Sequence, residues 1–314
     1  MIAIRTTGLR KTFGSVRALD GLDLEVKAGT IFGFLGPNGA GKTTTIRILT
    51  GLARPTAGRA WVTGIETPAR RRDVARRIGY LPEEPPFYPW MTPPELLDHV
   101  GRIFGLSAGE RAARTKELLE LVGLAGVSKR RIGGFSHGMR QRLGIAQALV
   151  NRPEVLFLDE PVSALDPAGR KEVLELIQRL RGQCTVLIST HILADIERVC
   201  DTVGIIDKGR MVTVAGQDEL LARYAIPAFE VECNGETAGR LDEWAAQVRR
   251  LPWADSVVTD GPTARVVVND VQAAQRELLP TALQAGLILT RYQVVRPSLE
   301  DVFLRLVGKG GPQA

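Results

Sequence analysis

The chain has 314 residues, 44% of them hydrophobic and 24% charged, with a formal charge of +6 and a mean hydropathy of zero. That length allows one large domain or a large and a small one, and the balance excludes whole-chain disorder and collagen-like repeats. No apolar run approaches the roughly 20 residues that span a bilayer, and the opening MIAIRTTGLRKTFG lacks the apolar core of a signal peptide, so the expected location is the cytosol. Cys184, Cys200 and Cys233 are far apart, form no CxxC, and read as small buried hydrophobes. The positive charge is densest at Arg70, Arg71, Arg72, Arg76 and Arg77, on no nucleic-acid motif, and reads as a solvated helix face or a partner contact.

In chain order, the first clear strand is TIFGFL, Thr30–Leu35. It runs directly into Gly36-Pro37-Asn38-Gly39-Ala40-Gly41-Lys42-Thr43, a match to G-x-x-x-x-G-K-[ST], which opens a helix predicted over Thr44–Thr50. Strand, glycine-rich loop and helix N-terminus together form a phosphate cradle. The glycines let backbone N–H groups wrap a polyphosphate, Lys42 reaches its outer phosphates, and the Thr43 hydroxyl suits Mg²⁺. A long helical insert follows. Thr92-Pro93-Pro94-Glu95 is a capping box with proline at the first helical position, and Leu96, Leu97, Val100, Ile103 and Phe104 are expected on its core face. Further helices are predicted over Arg111–Val122 and Gly138–Val150, the latter stopped before Pro153. FSHGM, residues 135 to 139, leads into that last helix and offers a second, partial anion site.

The strand Val155–Leu158 delivers Asp159 and Glu160 at its end, the first suited to a metal shell and the second to polarising a water. Thr185–Ser189 and Val203–Asp207 are two more short, almost wholly apolar strands, as buried parallel strands are. Alternation of such strands with helices predicts an α/β domain over residues 1–224, with a helical part at about 84–150. After Tyr224-Ala225-Ile226-Pro227 the pattern becomes strand 228–233, helix 238–250, strands 255–259 and 264–269, helix 271–285 and strand 288–295, with a closing helix at about 298–307. That order, β-α-β-β-α-β, predicts a small α+β, ferredoxin-like accessory domain over 225–314.

With these motifs in this order, residues 1 to about 220 resemble the ATP-binding subunits of ABC transporters. FSHGMRQRLGIAQAL is similar to the family's signature motif, SALD at 163–166 to its D-loop, and Ser189-Thr190-His191 to the strand end with its switch histidine. Ile78-Gly79-Tyr80-Leu81-Pro82-Glu83 takes the place of the Q-loop, and Phe13 that of the aromatic that stacks on adenine. The resemblance implies a P-loop NTPase core with N-terminal antiparallel strands and a helical signature subdomain, binding ATP and Mg²⁺. It implies nucleotide contacts from Phe13, Gly36 to Thr43, and Thr44. Thr43, Asp159 and Glu83 would serve the metal, and Glu160, His191 and Glu83 the hydrolysis. Ser136, Gly138 and Asp166 would act on nucleotide held by a second copy, identical or paralogous, packed head to tail.

Three motifs depart from the family pattern. Phe135, His137 and Met139 replace residues of the signature, Glu83 replaces a glutamine, and Phe13 replaces the commoner tyrosine. Separate transmembrane permease subunits are implied as partners, placing the chain on the inner face of the membrane. The aromatics of EEPPFYPWMTPPELL, residues 83 to 97, stand where the family docks its membrane subunit. Arg296 to Leu304 resembles the tail of ABC-2 type ATPases, which favours export. The rival class is an ABC-type ATPase acting on nucleic acid or ribosomes. It fits less well a chain with one P-loop and no room for a coiled-coil insertion between Lys42 and Asp159, and no nucleic-acid partner is expected.

Overall fold

In the computed structural model, residues 1–223, 228–295 and 303 are described, and they divide into two units, Met1–Gln217 and Asp218–Ala314. The first opens on two long strands, β1 (Ile2–Phe13) and β2 (Val16–Lys27), followed by β3 (Ile31–Leu35) and the helix α1 (Lys42–Leu49). Then come β4 (Ala57–Val62), β5 (Ile65–Thr67), α2 (Arg71–Ala75) and β6 (Ile78–Leu81). The helical insert is α3 (Pro93–Ile103), α4 (Ala108–Leu121) and α5 (His137–Ala148). It is followed by β7 (Val155–Asp159), α6 (Pro167–Arg179), β8 (Thr185–Thr190), α7 (Leu193–Val199), β9 (Thr202–Asp207) and β10 (Arg210–Gly216).

Two sheets carry this unit. The antiparallel one has the order β2-β1-β4-β5; the other has the order β10-β9-β3-β8-β7-β6. In the second, β9, β3, β8, β7 and β6 run parallel and only β10 is reversed. Every residue of β3, β7 and β8 is buried, which explains their unbroken apolar sequences. One apolar cluster ties Ile4, Leu22 and Val62 of the antiparallel sheet to Phe32, Phe34 and Phe157 of the parallel one through Ile46 and Leu49 of α1. Because β3, β8 and β7 are neighbours and parallel, their carboxyl ends emerge side by side, the usual place for a site in an α/β sheet.

The insert corrects one expectation. Thr92 caps α3 as read, its backbone N–H and its hydroxyl both donating to Glu95 Oε2 at 2.7 and 2.9 Å. Ile103 and Phe104, however, are 70% and 38% exposed. The buried stripe is Pro93, Leu96, Leu97 and Gly101. A methyl group on Gly101 would lie 2.9 Å from Arg111 Cγ, so α3 meets α4 through a glycine, which apolar periodicity does not count. Ile103 is thereby turned outward.

The second unit contains α8 (Gln217–Arg223, which starts at the boundary), β11 (Ala228–Cys233), α9 (Leu241–Val248), β12 (Ala254–Asp260), β13 (Thr263–Val268), α10 (Val271–Gln284) and β14 (Leu289–Val295). The sheet order is β12-β13-β11-β14 with every neighbour antiparallel, the ferredoxin-like arrangement. Phe229, Val231, Val266 and Val268 on one face pack with Trp244 and Leu278 of the two helices. The expected closing helix and the tail resembling ABC-2 ATPases lie outside the described residues, apart from Phe303. All three cysteines are free and buried, as read.

Candidate active site

Helix α1 begins at Lys42, two residues earlier than its sequence suggested, so Lys42 and Thr43 stand in the first turn, where N–H groups have no helical partner. Gly41 before them has φ +109°, and a methyl group there would also meet Ala18 O at 2.7 Å, so only glycine fits. Gly36 is held close to Ile206 O, 2.4 Å from where its Cβ would sit. The loop is thus a fixed turn, pinned inside by the Ala40 N–H to Pro37 O bond at 3.1 Å, and its other N–H groups are available to an anion.

Lys42 is only 6% exposed and donates to Gly36 O at 2.7 Å and Pro37 O at 3.3 Å. Its Nζ also lies 3.4 Å from Glu160 Oε1, and Glu160 Oε2 is 3.0 Å from His191 Nδ1. Thr43 Oγ1 donates to Asp159 Oδ1 at 3.1 Å, and Ser189 Oγ donates to the same oxygen at 2.5 Å. Burial pushes the Asp159 carboxyl above the usual carboxylate range, while the hydroxyls of Ser189 and Thr43 pull it down. A cation beside Thr43 and Asp159 would offset that burial. Both are hard oxygen donors, the type Mg²⁺ takes together with phosphate oxygens. Among the described residues no group of three or more His, Cys, Asp or Glu is placed to hold a metal ion by itself, and a metal that shares its shell with phosphates needs none.

Glu160 has φ +48°, unfavourable for a side-chain-bearing residue by about 1–3 kcal/mol. The conformation is held from three sides: Glu160 N–H donates to Ser189 O at 3.0 Å, Ser163 N–H donates to Glu160 O at 3.1 Å, and the carboxylate is engaged by Lys42 and His191. Thr190 Oγ1 accepts from Ile192 N–H at 3.0 Å, shaping the turn that presents His191. Further along α7, Asp195 is buried and bonded at 2.6 Å by Arg170 of α6, whose N-cap is Asp166. Burial raises the Asp195 carboxyl and Arg170 opposes the rise.

Lys42, Thr43, Glu160 and His191 line a cavity of about 400 Å³ together with Phe13, Glu83 and the loop from Asn38 to Thr44, while Gly36, Pro37 and Asp159 lie outside its lining, Asp159 reaching it through the Thr43 hydroxyl. Phe13 is 53% exposed at the tip of the β1–β2 hairpin, and its cross-strand partner Val16, 64% exposed, faces the same cavity. Val16 is not marked by any motif in the sequence; the glycine at position 14, in a two-residue turn beside Phe13, is its available signal. Glu83 is exposed, and its carbonyl accepts from Gln141 Nε2 of α5 at 2.7 Å, tying the signature helix to the Glu83 segment.

Ser136, Gly138 and Asp166 do not line this cavity. Ser136 caps α5, accepting from Met139 N–H at 3.3 Å, and Asp166 caps α6, accepting from Gly169 N–H at 3.1 Å. A methyl group on Gly138 would lie 3.7 Å from Leu165 Cδ2, so the two helix starts are neighbours. Phe135 is buried, a core substitution, while His137 is half-buried with its Nε2 shielded and unpartnered. Phe87 is half-buried, whereas Tyr88 and Trp90 are 47% and 63% exposed with ring centroids 5.4 Å apart.

A phosphate loop, an adjoining acid pair and a histidine on neighbouring ends of a parallel sheet define a P-loop nucleotide hydrolase. Family models match in two places: "ABC transporter" at residues 19–163, and "ATP-binding protein DrrA1-3-like, C-terminal domain" at 217–307. The bacitracin transport ATP-binding protein BcrA of Bacillus licheniformis is 38% identical over 98% of this chain and 98% of its own. The daunorubicin resistance ATP-binding protein DrrA3 of Streptomyces coeruleorubidus is 38% identical, over 98% of this chain and 96% of its own. Among solved structures, an ATP-binding subunit of an ABC transporter is 30% identical with a TM-score of 0.63, covering 71% of this chain and 93% of that one. The chain belongs to the ABC transporter ATP-binding proteins, and its activity is ATP hydrolysis coupled to transport.

Proposed function

We propose that the chain powers export through separate transmembrane subunits, hydrolysing ATP at sites each completed by a second copy. The observation that carries the reading is the unbroken chain of contacts from Lys42 through Glu160 to His191, beside Thr43 and Asp159, at three adjacent strand ends. Adenine stacks on Phe13 and Val16, the N–H groups of the glycines and of Lys42 to Thr44 hold the phosphates, and Lys42 turns from its carbonyl partners to the terminal ones. Thr43 and Asp159, with Glu83 facing the same cavity, hold Mg²⁺, which when bound supplies positive charge against the phosphate oxygens. Glu160 accepts a proton from the attacking water, and His191 orients that carboxylate and reaches the γ-phosphate.

Ser136, Gly138 and Asp166 stand outside the chain's own cavity at two neighbouring exposed helix starts. This supports their service to nucleotide on the second copy, identical or paralogous, where a helix N-terminus favours anionic charge. Among the described residues no helix is long and apolar enough to cross a membrane, so the permease is a separate partner in this reading. The loop with exposed Tyr88 and Trp90 is its docking surface, on the inner face of the membrane. Export rather than import rests on relatives whose names refer to bacitracin transport and daunorubicin resistance.

The test is phosphate release from ATP by the full chain, alone and with membrane proteins recovered on it in mild detergent. Mg²⁺-dependent release that rises with a copurifying transmembrane protein is expected. Release indifferent to chelation would contradict the metal assignment, and an active chain that recovers no membrane protein would contradict the transport partner.

A further inference from the structure

Ser189 lies two residues before the switch histidine with no role of its own assigned above, yet it touches both members of the acid pair. We infer that Ser189 is a positioning residue that sets the carboxylate of Asp159 and the main chain of Glu160 together; the inference rests on the roles proposed above for those two acids. The geometry follows from strand register. In the parallel pair β7–β8, Asp159 stands opposite Ser189, and registered neighbours send their side chains to the same face. Ser189 Oγ donates to Asp159 Oδ1 at 2.5 Å and accepts from Glu160 N–H at 3.2 Å. The Ser189 carbonyl takes the same N–H at 3.0 Å.

One hydroxyl therefore bridges a metal-binding carboxylate and the backbone of the proposed base. Its only hydrogen goes to Asp159, so its lone pairs are what remain for Glu160, and the bond direction is fixed at both ends. Ser189 is fully buried near the end of β8, directly after the apolar run Val186-Leu187-Ile188. A polar side chain in such a place is informative because burying a hydroxyl is unfavourable unless it is bonded. Two features here require support. Glu160 stands at φ +48°, a conformation that persists when its surroundings over-determine it. Asp159 Oδ1 has Thr43 as its only other side-chain donor among the described residues, and in the proposed reaction Thr43 turns to the metal. Ser189 is then the partner that keeps Asp159 aimed throughout.

The experiment compares the full-length wild type with Ser189→Ala and Ser189→Thr. Three quantities are measured: kcat and KM for ATP, Mn²⁺ binding in the presence of ADP by electron paramagnetic resonance, and Tm. Loss of a hydrogen bond to a charged group predicts about a tenfold weaker Mn²⁺ affinity and about a tenfold lower kcat in Ser189→Ala. Its KM for ATP stays within about twofold because the phosphate loop is untouched, and Ser189→Thr restores at least half of each loss. Wild-type kcat and Mn²⁺ affinity in Ser189→Ala would overturn the inference. So would a lowered Tm with unchanged Mn²⁺ affinity per folded molecule, which is the mark of a packing role. Should the wild type prove unable to hydrolyse ATP while Ser189→Ala still weakens Mn²⁺ binding, the hydrolytic reading falls and the assignment of Ser189 to Asp159 stands.

Discussion

Glu160→Gln separates the chemistry from the architecture, because glutamine keeps the shape of glutamate and nearly all of its contacts. The amide oxygen of the variant still accepts from Lys42, whose Nζ in the wild type lies 3.4 Å from Glu160 Oε1, and Lys42 keeps its bonds to Gly36 O and Pro37 O. The amide nitrogen replaces the oxygen 3.0 Å from His191 Nδ1 and donates to that nitrogen when the ring carries its hydrogen on Nε2. No polar atom is left unpaired, but the buried Lys42 ammonium loses its anionic partner, so stability should fall by about 1–3 kcal/mol. The amide cannot take a proton from water. General-base catalysis contributes about 10²–10⁴-fold, which is about 2.7–5.4 kcal/mol of barrier at 1.36 kcal/mol per tenfold. Phosphate release should fall by that factor, ATP affinity should hold, and an ATP-bound dimer should accumulate in size-exclusion chromatography. A variant that hydrolyses ATP within twofold of the wild type would refute the assignment of Glu160 as base.

Lys42→Ala should weaken ATP binding by about ten- to a hundredfold in calorimetry, the loss of a charge-assisted bond to phosphate; unchanged affinity would contradict the phosphate-loop reading. Arg170→Ala leaves the buried Asp195 without its 2.6 Å partner, which should lower stability by about 2–3 kcal/mol near pH 8. The folded-state carboxyl of Asp195 is already raised by burial, so its ionised form is a cost at high pH that disappears as pH falls through its folded pKa. The Arg170→Ala deficit in chemical denaturation should therefore shrink between pH 8 and pH 5, and a deficit that grows on acidification would contradict the account.

Local motifs are the most readable part of the sequence. Gly36 to Thr43 declares itself because one short stretch carries the glycines, the lysine and the threonine, flanked by a strand and a helix. Asp159 and Glu160 stand out for the same reason, following four apolar residues. The C-terminal β-α-β-β-α-β order is legible because its strands alternate cleanly around amphipathic helices. Features set by pairing between distant segments are not legible. The contact of Ser189 with Asp159 depends on β8 lying beside β7 in one register. Val16 reaches the cavity only because the β1–β2 hairpin places it opposite Phe13. The strands β1 and β2 themselves pair with several register shifts, which blur the two-residue alternation that would mark them. Apolar periodicity puts Ile103 on the wrong side because Gly101, invisible to an apolar count, makes the contact with α4.

The central claim is that each nucleotide site is shared between two copies, and trans-complementation tests it most directly. Two tagged chains are combined, one bearing Ser136→Arg and the other Lys42→Ala, and the purified mixed dimer is compared with one in which a single chain bears both changes. If Ser136 serves the partner's phosphate loop, the split pair leaves one site whole and keeps ATPase activity, while the doubled chain damages both sites and loses it. Activity in the doubled-chain dimer with none in the split pair would mean that each chain closes over its own nucleotide, and would contradict the shared site.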